Sequence, residues 1–324
     1  MPEEVIVRWG LEELPAVLAE IGSERPLAIA SDRWSRLDLQ AVGRWSEVPS
    51  DRIPEIAEQG RGADALLAVG GGSAIDLAKA VSAATDLPLV SVPTTYSGAE
   101  WTPFFGIRDP HKHMVGGGGG AHLAGIVYDP NLTLELPPAE SGGTAMNALA
   151  HCAEALYVTG RNPTGDEQAL EGARLIAAAL PAVLADGHDL GARTTLLQGA
   201  MHAGMALGAA GLGLGHAMAQ AVGGRYGIPH GAANALCLPP ALRFNEPVAG
   251  AEIARFGKAL GTDDPIARTE QLARLGGYER LRDLGVPEDE LDEVAEATAV
   301  RPGALANPRP ASPAEIAELF RSIY

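Results

Sequence analysis

Residues 65–80 read ALLAVGGGSAIDLAKA, an apolar run from Ala65 to Val69 that stops at Gly70-Gly71-Gly72-Ser73 and gives way to a helical pattern from Ala74 to Ala84. A short continuous apolar run closed by turn residues is the pattern of a buried strand. A strand that ends in a glycine turn lets backbone N–H groups approach a diphosphate closely. The helix that follows adds the positive end of its dipole. This reading makes Gly71, Gly72, Ser73 and Asp76 candidate cofactor residues. The pattern is not G-x-G-x-x-G, so a purely structural turn stands beside the nucleotide reading.

Working outward, the run from Leu87 to Val92 reads as a further strand, followed by a polar turn, Pro93 to Glu100. Thr94, Thr95 and Ser97 place hydroxyls where a ligand at strand ends would lie. Upstream, Val5 to Val7 and Pro26 to Ala30 read as strands, with helices from Leu11 to Ile21 and around Pro54 to Gly60. Ser31 and Asp32 follow the second of these strands. An acidic side chain there favours NAD by bonding ribose hydroxyls, whereas Arg33 favours NADP, so both cofactors stay open.

Alternating strand and helix signals over the first ~135 residues indicate an α/β architecture with a mainly parallel sheet. After Asp129-Pro130 strand signals largely disappear, and from Gly142 the pattern is Ala/Leu-rich and helical. The expected division is a dinucleotide-binding domain over 1–137 and a helical domain over 138–324. Five consecutive glycines, Gly116 to Gly120, read as a mobile surface loop, because each glycine loses much conformational freedom on ordering.

The chain has 324 residues, 24 Lys and Arg against 41 Asp and Glu, and a formal net charge of −17. Such a field repels phosphate backbones and anionic lipid, which disfavours nucleic-acid and membrane-surface roles. Aromatics make up only 5% while glycine contributes 40 residues, so the core must come from Ala, Leu and Val. Cys152 and Cys237 lack CxxC spacing and suit buried thiols in a reducing cytoplasm. The N-terminus MPEEVIVRWG shows no secretory signal. Thr194 to Gly224 carries no formal charge, yet its Ala/Gly dominance and its Gln and His residues favour a buried helical segment over a membrane span.

Asn147 and His151 are four apart in a helical pattern and share a face. His216 and His230 are fourteen apart, ~21 Å on one straight helix, but Gly223-Gly224 and Pro229 break the segment and allow the chain to return. Each histidine alone reads by default as an ordinary packed or surface imidazole. His111, His122, His188 and His202 keep that reading.

Taken together, the segments GGGSAIDLAKA (70–80), PTTYSGAEWTP (93–103), VYDPNLTLELP (127–137), MNALAHCAEALY (146–157), GLGHAMAQAVGGRYGIPHGAANALCLP (213–239) and NPRP (307–310) resemble the iron-containing alcohol dehydrogenase family over nearly the whole chain. Within it they resemble the maleylacetate reductase branch. The resemblance implies an α/β Rossmann-like nucleotide-binding domain followed by an all-α helical domain, NADH or NADPH as cofactor, and a homodimer. It further implies hydride transfer to an unsaturated oxo acid such as maleylacetate. That chemistry needs donors aimed at a carbonyl oxygen and a proton source for the enolate. The implied catalytic set is His151, His216 and His230, with Asn147 as a neutral donor and Lys112 at a substrate carboxylate. Arg108 and Arg161 are further cations near the domain junction.

In metal-dependent members the positions of 147, 151, 216 and 230 hold Fe²⁺ or Zn²⁺ through one Asp and three His. Here the first is Asn147, an exchange that resembles the metal-independent branch and removes a charged oxygen ligand. No catalytic metal is therefore expected; if one binds, His151, His216 and His230 would hold it. Gln220 stands where many members have another His, and the segment between Ser31 and Asp51 is short. These departures keep open a non-redox, lyase- or cyclase-like enzyme or a ligand-binding protein on this scaffold. A metal-dependent alcohol dehydrogenase is the weaker alternative.

Overall fold

The computed structural model describes residues 5–111 and 113–324, so the expectation for Lys112 lies outside the described residues. Two compact units are formed: the described residues up to Thr95 with Ala99–Thr133, and Tyr96–Gly98 with Leu134–Tyr324. In the first, β1 (Ile6–Trp9), β2 (Pro26–Ile29), β3 (Gly43–Trp45), β4 (Ala65–Gly70), β5 (Leu89–Pro93) and β8 (Leu123–Tyr128) build a six-stranded sheet of order β1-β8-β5-β4-β2-β3. Every pairing in it is parallel. Strands β6 (Phe105–Arg108) and β7 (Met114–Gly118) form a separate antiparallel pair.

Strand β4 is buried along its whole length, as a parallel strand covered on both faces must be. Its side chains alternate between two cores. Leu67 and Val69 join Val17 of α1 (Leu14–Glu20), whereas Leu66 and Ala68 join Ile56 of α2 (Ile53–Gln59) and Ile75 of α3 (Gly72–Thr85). The connections diverge at the border of β2 and β4: β2 leads outward to β3, and β4 leads the other way to β5. Such a reversal leaves a crevice at the carboxyl ends of the strands.

Two corrections to the sequence reading concern glycine. The run Gly116 to Gly120 is not wholly a loop, because Gly116, Gly117 and Gly118 are ladder residues of β7. A Cβ on Gly117 would stand 2.9 Å from the Phe105 carbonyl oxygen, and one on Gly118 or Gly119 would meet the Phe105 or Phe104 ring. Aromatic rings occupy the space that side chains would otherwise take. The second correction is that the helix expected to break at Gly223-Gly224 runs through both of them and ends at Gly227, whose φ is 68°.

The second unit is helical: α4 (Pro138–Ala155), α5 (Pro163–Ala185), α6 (Leu190–Ala210), α7 (Leu214–Tyr226), α8 (His230–Ala259), α9 (Pro265–Leu275), α10 (Leu291–Ala299), α11 (Pro302–Leu305) and α12 (Pro313–Ser322). Helix α4 packs among α5, α6 and α8. The uncharged stretch 194–224 forms two helices, α6 and α7, bent by 103° rather than one segment. Among the described residues, α5 is the one helix long and apolar enough to cross a membrane, with α6 and α7 passing the same test if counted as one bent span. Helix α8 kinks at Ala249, two residues after Pro247, where the missing proline N–H interrupts the ladder.

Candidate active site

In the first unit, Gly70–Gly72 join β4 to α3 without a side-chain cap, so the helix N-terminus presents bare backbone. Gly71 is required by a neighbour: a Cβ there would lie 2.8 Å from Thr95 Cγ2. Thr94 N–H donates to Gly70 O at 3.0 Å, tying the two turns together. Thr95 Oγ1 is buried without a partner. An orphaned hydroxyl beside an uncapped glycine turn at the sheet's crevice is the polar equipment a dinucleotide would use. Ser31 and Asp32 start a short 3-10 turn after β2, the other strand of that crevice. Ser73 is exposed on the first turn of α3. Asp76 is otherwise engaged: Oδ1 pairs with buried Lys79 at 2.8 Å and Oδ2 accepts from Gly106 N–H. Lys79 Nζ also donates to the carbonyls of Ala99 and Phe104.

In the second unit, Ala-rich α4 presents Asn147, His151 and Glu154 at helical spacings of four and three, all at most 4% exposed. Gly143 and Gly231 bring α8 against this helix; a Cβ on Gly231 would stand 2.4 Å from the Gly143 carbonyl carbon. His230, the first residue of α8, thereby joins the group. The His151 and His216 rings stack at 4.7 Å with 12° between planes, and His230 lies 5.7 Å from His216. All three sequence-predicted histidines and Asn147 come together. Ser97 belongs to this unit, and its carbonyl accepts from Asn147 Nδ2 at 3.1 Å.

Two residues of the cluster escaped the sequence reading. Asn234, one turn after His230, donates Nδ2 to Asn147 Oδ1 at 2.8 Å and to the His230 carbonyl. Glu154 is fully buried, accepts from Gly213 N–H at 2.7 Å and His216 N–H at 3.1 Å, and lies 2.7 Å from His216 Nδ1. The signal for Glu154 was the helical continuation of Asn147 and His151.

Burial, then the neighbouring His216 and His230, holds the His151 imidazole well below its usual pKa, so this ring is neutral near pH 7. His151 Nδ1, His216 Nε2 and Asn234 Oδ1 are buried without partners. Each unmade bond costs roughly 1–3 kcal/mol, which marks this cluster as a place for polar ligand atoms.

The side chains do not fit the metal centre of the metal-dependent relatives. Among the described residues, no three His, Cys, Asp or Glu side chains are arranged to hold a metal ion. Asn147 Oδ1 already accepts from Asn234, and the in-plane lone pairs of the stacked His151 and His216 rings lie in two near-parallel planes, which do not converge on one ion. Arg161, a candidate for a substrate carboxylate, is instead taken up by Asp166 and Glu252.

An N-terminal α/β unit with an uncapped glycine turn, followed by a helical unit with a histidine cluster, defines a class of nucleotide-dependent enzyme. Residues 2–122 match the iron-containing alcohol dehydrogenase family, and residues 142–324 match that family's C-terminal domain. The chain belongs to this family and is an NAD(P)-dependent oxidoreductase acting on a small molecule.

Among its relatives, the maleylacetate reductase of Burkholderia cepacia is 33% identical over 339 aligned residues, spanning 100% of this chain and 96% of that protein. The maleylacetate reductase of Sphingobium indicum is 37% identical, over 93% of this chain and 85% of that one. The crystal structure of maleylacetate reductase from Agrobacterium tumefaciens superposes with a TM-score of 0.89 at 32% identity, covering 100% of this chain and 97% of that one.

Proposed function

We propose that this enzyme reduces the carbon–carbon double bond of maleylacetate or a closely similar unsaturated oxo acid, without a catalytic metal. The observation that carries the reading is the stacked His151–His216 pair with its two buried, unpartnered ring nitrogens. Reduced nicotinamide, when bound, supplies the hydride. Gly71, Gly72, Ser73, Thr94 and Thr95 hold the cofactor's diphosphate and adjoining sugar, with Ser31 and Asp32 at the far ribose and Ser97 on the nicotinamide side.

Hydride arriving at an electrophilic carbon drives charge onto the conjugated carbonyl oxygen. Neutral His151 donates a ring N–H to this oxygen and passes that proton to the enolate, with His216 Nε2 beside it facing substrate as an acceptor, and His230 completes the group. Asn147 is a neutral member whose amide is oriented by Asn234 and the Ser97 carbonyl. That engagement, with the non-converging rings, supports metal independence.

Residues 1–137 act as the nucleotide domain and 138–324 as the catalytic domain. The enzyme works as a homodimer in the cytoplasm, a reading supported by the resemblance and by two buried thiols, Cys152 and Cys237, whose pKa burial pushes up. The maleylacetate reductases named above do not support the non-redox alternative.

The test is oxidation of NADH and of NADPH by the purified enzyme with maleylacetate, compared with simple aldehydes. Turnover with the oxo acid well above that with aldehydes is expected. Turnover with aldehydes alone would contradict the substrate assignment.

A further inference from the structure

Glu154 lies outside the set of ring nitrogens and amides just described, yet it determines what one of them presents. Its carboxylate is completely buried and meets three nitrogens. Two are backbone N–H groups at the start of α7, Gly213 and His216, so a side chain of α4 caps that helix from outside. A carboxylate at a helix N-terminus also complements the dipole. The third partner is the ring of His216 itself, whose Nδ1 lies 2.7 Å from Oε2.

The fit is built by small residues. A Cβ on Gly215 would stand 2.9 Å from Glu154 Oε1, and one on Gly213 would stand 3.1 Å from Glu154 Cδ. Glycine at both positions lets the first turn of α7 settle onto the carboxylate without displacing it, which gives the GLGLGH stretch a physical reason.

The geometry points to Glu154 as the positioning residue of His216: its carboxylate fixes the proton on Nδ1 and leaves Nε2 as the nitrogen that meets substrate. An imidazole has two nitrogens, and an acceptor 2.7 Å from Nδ1 requires the hydrogen there. The backbone bonds at Gly213 and His216 hold the ring's own segment in register with that acceptor, so direction and tautomer are set together. His216 Nε2 is the unpartnered atom of the ring, consistent with a site its own protein leaves open. The inference rests on the reading of His216 as a group that touches substrate, but its first measurement does not.

In histidine-¹⁵N-labelled enzyme, with His216 assigned by loss of its signals in His216→Gln, nitrogen NMR is expected to show Nδ1 protonated. A bare Nδ1 would overturn the proposal whatever the substrate proves to be. In Glu154→Gln, one of the three donors must face an amide NH₂. Expected there, per NADH-binding site measured by cofactor fluorescence, is a fall in kcat on the order of 10–100-fold with KM and NADH affinity little changed. Glu154→Asp, which keeps the carboxylate, should recover part of kcat and the Nδ1-protonated signal. An unchanged kcat in Glu154→Gln, or a loss only in proportion to lost NADH sites, would reduce Glu154 to a helix cap. Wild-type enzyme inert toward maleylacetate but with Nδ1 protonated would break the substrate reading while sustaining the tautomer.

Discussion

Glu154 in the helical unit accepts three N–H bonds, whereas Glu100 in the α/β unit accepts one hydroxyl bond through Oε1, from Tyr128 at 2.6 Å, and leaves Oε2 without a partner. Both are at most 2% exposed. Burial pushes the Glu100 carboxyl up from its usual range, against the Tyr128 hydrogen bond and the charge of Lys79. Tyr128 in turn accepts from Trp101 Nε1 at 2.8 Å, so Glu100 closes a chain of aromatic hydrogen bonds. Equal burial thus yields different chemistry. The number of donors delivered to the oxygens separates a carboxylate that organises a reactive ring from one that serves packing.

Removing each carboxylate in turn separates the two roles. Glu154→Ala leaves three buried N–H groups without acceptors and should lose on the order of 3–5 kcal/mol in urea unfolding. A loss below 1 kcal/mol, to the same order, would mean that water replaces the carboxylate. Gly215→Ala should have a smaller effect, roughly 1–3 kcal/mol by crowding Glu154 Oε1, with activity falling further than NADH affinity.

Gly71→Ala provides the counterpart in the α/β unit. Its methyl group would press on Thr95, so it should weaken NADH binding by about tenfold, a 1.4 kcal/mol effect, while leaving the His216 nitrogen signals unchanged.

Glu100→Gln is the smallest change and has the opposite sign. A carboxyl whose folded pKa is raised contributes its full stability below its unfolded value, near 4.5, and loses it as pH rises through the folded value. Wild type therefore carries a penalty near pH 8 that Gln avoids while still accepting from Tyr128. The variant should be more stable by about 1 kcal/mol at pH 8, and the gap should narrow toward pH 4. A gap of constant size across that range would detach it from Glu100 titration.

What could be read from the sequence followed from how local each signal was. The apolar run at Ala65–Val69, its glycine turn and α3 are continuous in the chain, so strand, turn and helix were legible together. Asn147 and His151 share a helix face by spacing alone. Strand β3, of three residues, carries too little pattern to detect. Strand β7 was hidden because glycine has no strand preference, and the Phe104 and Phe105 rings that fill its surface come from elsewhere in the chain. Asp76 and Arg161 were read as ligand contacts because their polar heads were visible and their partners were not. For Asp76 the partners extend from Lys79 on its own helix to Gly106, for Arg161 as far as Glu252. Glu154 was on the same helix face as the residues that were named, but its donors sit some sixty residues on, at the start of α7.

In the proposed reaction a histidine cluster organised by side chains, rather than by a metal ion, performs the proton handling. Its direct test is the steady-state kcat for maleylacetate-dependent NADH oxidation by enzyme dialysed against a strong chelator and assayed with and without added Fe²⁺ or Zn²⁺. Chelated enzyme is expected to keep its full kcat, and neither ion should raise it. Loss of activity on chelation, restored by one equivalent of either ion, would contradict it.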